Sequence, residues 1–211
     1  MPVMKRTFSL LAVFFMAAAL FAQSAPSLDQ VLNSLTSRKV TEGSFTMQKK
    51  SAKLKKPLTS SGTYIMSDRG IVWNTLKPFP QTMAVTEDAM IQIRPDGTKN
   101  VVDGSGNEVF KTVASSVKSI FGSSRDAMEK SFSIKNFTSD KTTWNLTLVP
   151  KDSTIAVALN SIELGGSWKE SDCSLDRTVI VQGESNSTVY TYSNQVYKDA
   201  LSESQLEYFK K

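Results

Sequence analysis

Residues 62–97 constrain the fold of this chain more than any other segment. Apolar and polar residues alternate there in four short runs, which is typical of β-strands with one face in a core and the other in water. Turn-forming residues at 68–70 and 78–80 separate the first three runs, and those at 95–97 follow the fourth. The segment therefore predicts four short antiparallel strands that are joined by tight reversals.

The apolar face of these four strands is rich in methionine and aromatic residues rather than in closely fitting valines. The alternation assigns to it Tyr64, Met66, Ile71, Trp73, Met83, Val85, Ile91 and Ile93. Walls of methionine and aromatic side chains repack around ligands of varied shape, because they make few directional contacts. Such a face can pack into a core or bind an apolar ligand, and the sequence leaves both interpretations open for each residue.

Similar alternation continues before and after this segment. Residues 43–51 predict a first strand with Phe45 and Met47 on its apolar face. The clearest later strand spans 144–148, and residues 155–164 predict another one. In total the pattern predicts about eleven strands, each with one apolar and one polar face.

Helical segments interrupt the alternation. Ser27 and Gln30 have the spacing of a capping box at the start of the first helix, which is predicted to end near Arg38. A second helix is predicted at about 108–121, and a short third helix carries Met128. The predicted fold is therefore α+β and mainly antiparallel β. Its curved sheet forms an incomplete, half-open barrel, with two or three helices as a lid over the apolar concave face.

The first 22 residues have the three regions of a secretory signal peptide. Lys5 and Arg6 precede an apolar run at 8–21, and small residues follow around Ala22. The run is too short for a helix that spans a membrane. We therefore predict cleavage of residues 1–22 and export of a single soluble domain of residues 23–211.

The chain contains no histidine and only one cysteine, Cys173. These counts exclude nucleophilic sites that need a histidine base, thiolate zinc sites and intrachain disulfides. Three carboxylates near a flexible break, Asp96, Asp103 and Glu108, suit turns and helix starts better than acid–base chemistry. We therefore predict that the protein is not an enzyme and that it uses no metal or cofactor.

Five lysines lie at the end of the first predicted strand and just after it: Lys49, Lys50, Lys53, Lys55 and Lys56. A solvated loop between two strands accounts for them, and so does a docking patch for anionic lipid headgroups or an acidic partner. The formal charge of the whole chain is only +5, and part of it belongs to the predicted signal peptide. This mild excess is not the footprint of a nucleic-acid-binding protein, so nucleic acid is not an expected partner.

The order of these features resembles the LolA-type (LolA/LolB-like) family of periplasmic outer-membrane lipoprotein carriers. The resemblance begins with the signal peptide, the amphipathic helix at 28–35 and the run GSFTMQ at 43–48. Its stronger part is Gly62 with the aromatic Tyr64, followed by Arg69, Trp73 and Pro78 or Pro80. Arg69 is the counterpart of an arginine that family members use in lid movement and transfer, although Gly70 stands where the family has proline.

This resemblance implies a periplasmic chaperone that shields the acyl chains of lipoproteins or other lipidated molecules and carries them from the inner to the outer membrane. Its implied partners are an inner-membrane exporter, an outer-membrane acceptor and, transiently, the membrane surface, and the carrier itself is expected to be a monomer. The implied cavity wall comprises the eight residues of the methionine-rich face together with Phe45, Met47, Val117 and Phe121. A lipid-sensing or protein-interaction domain of the cell envelope, built on the same fold, is the alternative.

Overall fold

The computed structural model of the chain describes residues 24–106 and 125–211. Its strands are β1 (Val40–Lys50), β2 (Leu58–Ser67), β3 (Gly70–Lys77), β4 (Gln81–Val85), β5 (Ala89–Ile93), β6 (Lys99–Asp103), β7 (Phe132–Ser139), β8 (Thr143–Pro150), β9 (Ser161–Lys169), β10 (Asp172–Cys173), β11 (Arg177–Gln182) and β12 (Asn186–Lys198). The described helices are α1 (Leu28–Thr36), α2 (Arg125–Ser131), α3 (Ser153–Ala158) and α4 (Glu203–Leu206), and a 3₁₀ turn (Glu207–Phe209) follows α4.

All twelve described strands belong to one antiparallel sheet, which is curved and does not close. Its order is β6-β5-β4-β3-β2-β1-β12-β11-β9-β8-β7, and the two-residue β10 pairs with β9 beside this path. The long pairing of β1 with β12 joins the first six strands to the last six. The prediction of a mainly antiparallel, open, curved sheet with helices is confirmed, and the number of strands is close to the expected one.

One face of the sheet carries the larger hydrophobic core and three of the described helices. Helix α1 contributes Val31 and Leu32, which are fully buried, and it contacts β10. Helices α2 and α3 pack against β7 and β8 and add Met128 and Ile155 to the same core. We call this face, with its three helices, the helix-bearing face.

The opposite face is not uniformly exposed to solvent, which corrects the expectation of one polar face on every strand. Ile65, Val72, Ala84 and Ile91 are buried there in a second core. The C-terminal segment covers part of this core, because Tyr208 and Phe209 of the 3₁₀ turn pack against it. Strands that are buried on both faces read as continuous apolar runs, and the run at 64–66 is of this kind.

Two helix predictions are confirmed and one strand prediction is wrong. Ser27 and Gln30 form the capping box of α1, and α2 carries the buried Met128. Residues 153–158 form a helix rather than the start of a long strand, because the Asp152 carboxylate accepts hydrogen bonds from two backbone N–H groups and caps the first turn. The helix predicted at 108–121 and the signal peptide predicted at 1–22 lie outside the described residues.

Candidate functional site

An apolar cavity of about 300 Å³ lies on the helix-bearing face, at the end of the sheet where β1 ends and β2 begins. This volume is at the lower end of the range of roughly 300–1,000 Å³ that is usual for small-molecule sites. Its lining residues are Phe45, Met47, Leu58, Thr59, Ser60, Trp73, Thr75, Pro78, Phe79, Gln81, Met83 and Tyr190. No charged side chain is among them, so the cavity suits an uncharged, apolar ligand.

Strand pairing brings the wall residues together. Trp73 on β3 lies directly opposite Met83 on β4. Met47 on β1 lies opposite Ser60 on β2 and opposite Tyr190 on β12. Directly opposed residues of antiparallel strands project from the same face, so five strands contribute to one wall.

Aromatic rings form the floor of the cavity. The Tyr190 ring lies 6.1 Å from the Phe45 ring and 5.9 Å from the Trp73 ring, measured between centroids. It also stacks on Tyr192 with an angle of 6° between the ring planes. Burial raises the pKa of Tyr190 above its ordinary value, so its phenol stays neutral at physiological pH.

The other half of the helix-bearing face is filled by side chains. Trp144, Leu146 and Leu148 of β8 are almost completely buried, together with Leu164 of β9. Gly166 lies against the Trp144 ring, since a side chain added there would come within 2.7 Å of the indole. This half is close-packed core, and the cavity is confined to the half formed by β1–β4 and β12.

The twelve predicted wall residues separate into four groups. Phe45, Met47, Trp73 and Met83 line the cavity. Tyr64, Met66 and Ile71 belong to the core of the same face, and Val85 lies directly opposite Ile71. Ile91 and Ile93 belong to the second core on the opposite face. Val117 and Phe121 lie outside the described residues.

The placement of Ile91 and Ile93 corrects the expectation that they share a wall with Met83 and Val85. Val85 pairs with Met90, and Ala84 pairs with Ile91. The turn between β4 and β5 therefore puts Met90 and Gln92 on the helix-bearing face and sends both isoleucines to the other side. There they pack near the C-terminal segment.

Sequence reasoning missed several residues that line the cavity. Ser60 and Thr75 are small polar residues, which leave the space that larger side chains would fill. Tyr190 carried a usable signal, because it alternates with Tyr192 in a predicted strand. Phe79 carried none, because it lies in a proline-rich reversal whose direction depends on the fold.

Arg69 lies exposed in the turn between β2 and β3. Its backbone N–H donates to the hydroxyl of Ser67, and its guanidinium has no hydrogen-bond partner among the described residues. A role of Arg69 in lid movement stays a prediction.

A different arginine ties helix α1 to the sheet. The Arg38 guanidinium donates to Asp172 at 2.8 Å and to the backbone carbonyl oxygens of Cys173 and Ser34. It also lies 3.3 Å above the centre of the Tyr197 ring. Its side chain is only 12% exposed, whereas that of Asp172 is 63% exposed, and the contact connects the C-terminal end of α1 with β10 and β12.

The carboxylate of Asp172 is held in its charged form by this arrangement. Burial alone would raise its pKa, but the hydroxyl of Ser34 and the guanidinium of Arg38 outweigh burial and hold the pKa below the ordinary value. A lowered pKa contributes stability above the unfolded pKa near 4, and this stability is lost as the pH falls through the folded pKa. The attachment of α1 is therefore expected to weaken only in acid.

We expect Arg38→Met to loosen α1 and to lower the free energy of unfolding by about 1–3 kcal/mol, because it leaves the buried Cys173 carbonyl without its donor. Urea denaturation measures the loss, and hydrogen exchange of residues 28–36 should locate it in α1. Lys39→Met is the matched control, since Lys39 is 70% exposed and its ion pair with Asp199 is 3.6 Å long. An equal loss in both variants would contradict this role of Arg38.

The described carboxylates form no metal-binding cluster. Asp96 accepts from the Thr98 N–H and Asp103 accepts from the Ser105 N–H, so both shape turns as the sequence suggests. Glu108 lies outside the described residues. No group of three or more acidic or cysteine side chains within 24–106 and 125–211 is arranged to hold a metal ion. Nor does any helix in those ranges have the length and apolarity to cross a membrane.

Comparisons with known proteins identify relatives of the chain. A family model described as "Outer membrane lipoprotein carrier protein LolA-like" matches residues 20–202. A solved LolA superfamily protein from Nitrosomonas europaea is similar with 9% identity and a TM-score of 0.48, over 87% of this chain and 96% of that one. A putative outer membrane lipoprotein-sorting protein domain from Vibrio parahaemolyticus is similar with 8% identity and a TM-score of 0.44, over 79% and 88% of the two chains. No curated protein matches the chain significantly.

Proposed function

Because the chain belongs to the LolA-like family of outer membrane lipoprotein carrier proteins, we propose that its cavity binds the acyl chains of lipoproteins or other lipidated molecules. The carrier would receive this cargo at the inner membrane and release it at the outer membrane. A soluble periplasmic form, produced by cleavage of the predicted signal peptide, is part of the proposal. An inner-membrane exporter and an outer-membrane acceptor would be its partners.

The observation that carries this proposal is the chemistry of the cavity wall. Met47, Trp73 and Met83 provide adaptable apolar surface on one side of an uncharged cavity. Each buried methylene contributes about 0.8 kcal/mol, so ten methylenes contribute roughly 8 kcal/mol, which corresponds to a micromolar dissociation constant. Binding of that strength would keep a chain out of water and still permit transfer.

The same wall gives no support to catalysis. Trp73, Tyr190 and the methionines offer no acid, base or nucleophile at physiological pH, and the chain has no histidine. We therefore propose a carrier that holds its cargo without changing it covalently.

Native mass spectrometry of the protein exported with its own signal peptide tests this function. We expect a fraction of the molecules to carry the mass of an acylated molecule, and solvent extraction should release the same lipid. Protein expressed in the cytosol without residues 1–22 is the control and should carry less of that cargo. Exported protein that never carries lipid, but forms a stable complex with one envelope protein, would instead support the sensor function.

A further inference from the structure

The cavity opens beside a group of exposed lysines, which we call the basic rim: Lys49, Lys50, Lys53, Lys55, Lys56 and Lys77. The strand register places them at one end of the sheet, because Lys49 pairs with Leu58 and Lys77 pairs with Ser61. None of the ion pairs among the described residues involves a lysine of the rim. Six positive charges are therefore available to a partner.

Exposed apolar side chains lie within the basic rim. Phe79 is 79% exposed at the tip of the turn between β3 and β4, and Leu58 and Leu76 are each more than half exposed. Phe79 and Leu58 also line the cavity. Apolar surface is thus continuous from the tip of the rim into the cavity.

The two ends of this half of the sheet differ in charge. At the other end, the turns after β2 and β4 contain Asp68 with Arg69, and Glu87 with Asp88. The turns near the rim contain Asp96, which is accompanied by Arg94, and Glu184. At the opposite end Arg69 offsets Asp68, and Lys211 pairs with Asp88 at 2.9 Å. A negatively charged surface would therefore attract the rim end more strongly than the nearly balanced opposite end.

We propose that the basic rim docks on an anionic phospholipid bilayer. Its lysines contact the headgroups, and Phe79 and Leu58 enter the boundary between headgroups and acyl chains. Charge complementarity and the exposed aromatic tip together carry this assignment, because lysines next to bulky apolar side chains are what interfacial binding requires. The docking surface stands independently of the proposed cargo, since it concerns the outside of the cavity.

Flotation with vesicles tests the proposal directly. We expect binding to vesicles of phosphatidylcholine with one-third phosphatidylglycerol, little binding to phosphatidylcholine alone, and weaker binding at high salt. Each lysine near an anionic surface changes affinity about fivefold, so the triple variant Lys53→Glu, Lys55→Glu and Lys56→Glu should bind at least about 100-fold more weakly. Circular dichroism checks that this variant is folded.

A matched triple variant separates the rim from overall charge. Lys135→Glu, Lys141→Glu and Lys169→Glu change the net charge equally at exposed positions on β7, in the β7–β8 turn and at the end of β9, away from the rim. This control should keep its affinity within about threefold. An equal loss in both triple variants, or no vesicle binding by the unaltered protein, would overturn the proposal.

Phe79→Trp provides a readout of insertion. Its fluorescence should shift to shorter wavelength on anionic vesicles, and brominated lipid should quench it. The variant is made in a Trp73→Phe background, because Trp73 is only partly buried and lines the cavity, whereas Trp144 and Trp168 are buried. An unchanged spectrum with bound vesicles would overturn the insertion of Phe79, and binding only to an acidic protein would overturn the bilayer as the partner.

Discussion

Met83→Glu is expected to weaken the binding of an acyl-chain probe at least about 100-fold. Met83 lies opposite Trp73 in the wall of an uncharged cavity, so a carboxylate there must either be desolvated by the ligand or keep its water. If the water that the carboxylate retains keeps four methylenes of the acyl chain out of the cavity, the binding free energy is weakened by about 3 kcal/mol. This corresponds to a more than hundredfold loss of affinity. Displacement of a fluorescent fatty acid measures the change.

Two further variants make this test specific. Val102→Glu introduces the same charge on β6 at an exposed position that does not line the cavity, and it should bind as the unaltered protein does. Met83→Leu keeps an apolar side chain of similar volume and should lose less than about threefold. If Met83→Glu binds the probe normally, acyl chains do not occupy this cavity.

Trp144→Ala is expected to lower the free energy of unfolding by about 3–5 kcal/mol, whereas Trp73→Ala should cost less than about 2 kcal/mol. Trp144 is fully buried against Gly166 in the close-packed half of the helix-bearing face. Trp73 is only partly buried, and within 24–106 and 125–211 the cavity leaves one side of its ring open. Removal of Trp144 therefore leaves a void, and removal of Trp73 enlarges a space that exists.

Binding should show the reverse order for the two tryptophans. Trp73→Ala changes the cavity wall and should weaken binding of the acyl-chain probe, because the probe loses a large part of its apolar contact with the wall. Trp144→Ala, measured at a temperature where it stays folded, should bind the probe as the unaltered protein does. Equal unfolding costs and equal binding losses in both variants would contradict the division of this face into core and cavity.

The sheet and part of the cavity could be predicted from local patterns. Alternation over residues 62–97 indicates strands because side chains point to opposite faces in turn. The same pattern correctly grouped Trp73 with Met83, and Phe45 with Met47, on one wall. The capping box at Ser27 located the first helix because its two reciprocal hydrogen bonds depend on residues close in sequence.

The prediction for Ile91 and Ile93 was wrong because a segment distant in sequence determines which face of β5 is buried. In β5, Ala89, Ile91 and Ile93 form one apolar set, and Met90 faces the other way. Alternation separates these sets without saying which one faces the helices. The C-terminal segment packs against the second core, to which Ile91 belongs, and its 3₁₀ turn contacts β4 from more than a hundred residues away, so no local pattern contains this contact.

The division between core and cavity was also hidden from the sequence. Trp73 and Trp144 both lie on the apolar face of an alternating strand. Trp73 nevertheless lines the cavity, whereas Trp144 is buried in the core. Among the described helices, α1, α2 and α3 pack over the part of the face that holds Trp144. Packing of that kind depends on how helices cross a curved sheet, and the local alternation carries no information about it.

Photo-crosslinking with a fatty acid that carries a diazirine in its chain tests the central claim most directly. After illumination and digestion, we expect labelled peptides to contain the cavity strands around Met47, Trp73 and Met83. Labelling should fall in Met83→Glu and in the presence of excess unlabelled fatty acid. Labelling confined to other strands, such as the close-packed β8 or the opposite face at Ile91, would contradict the assignment of this cavity to an acyl chain.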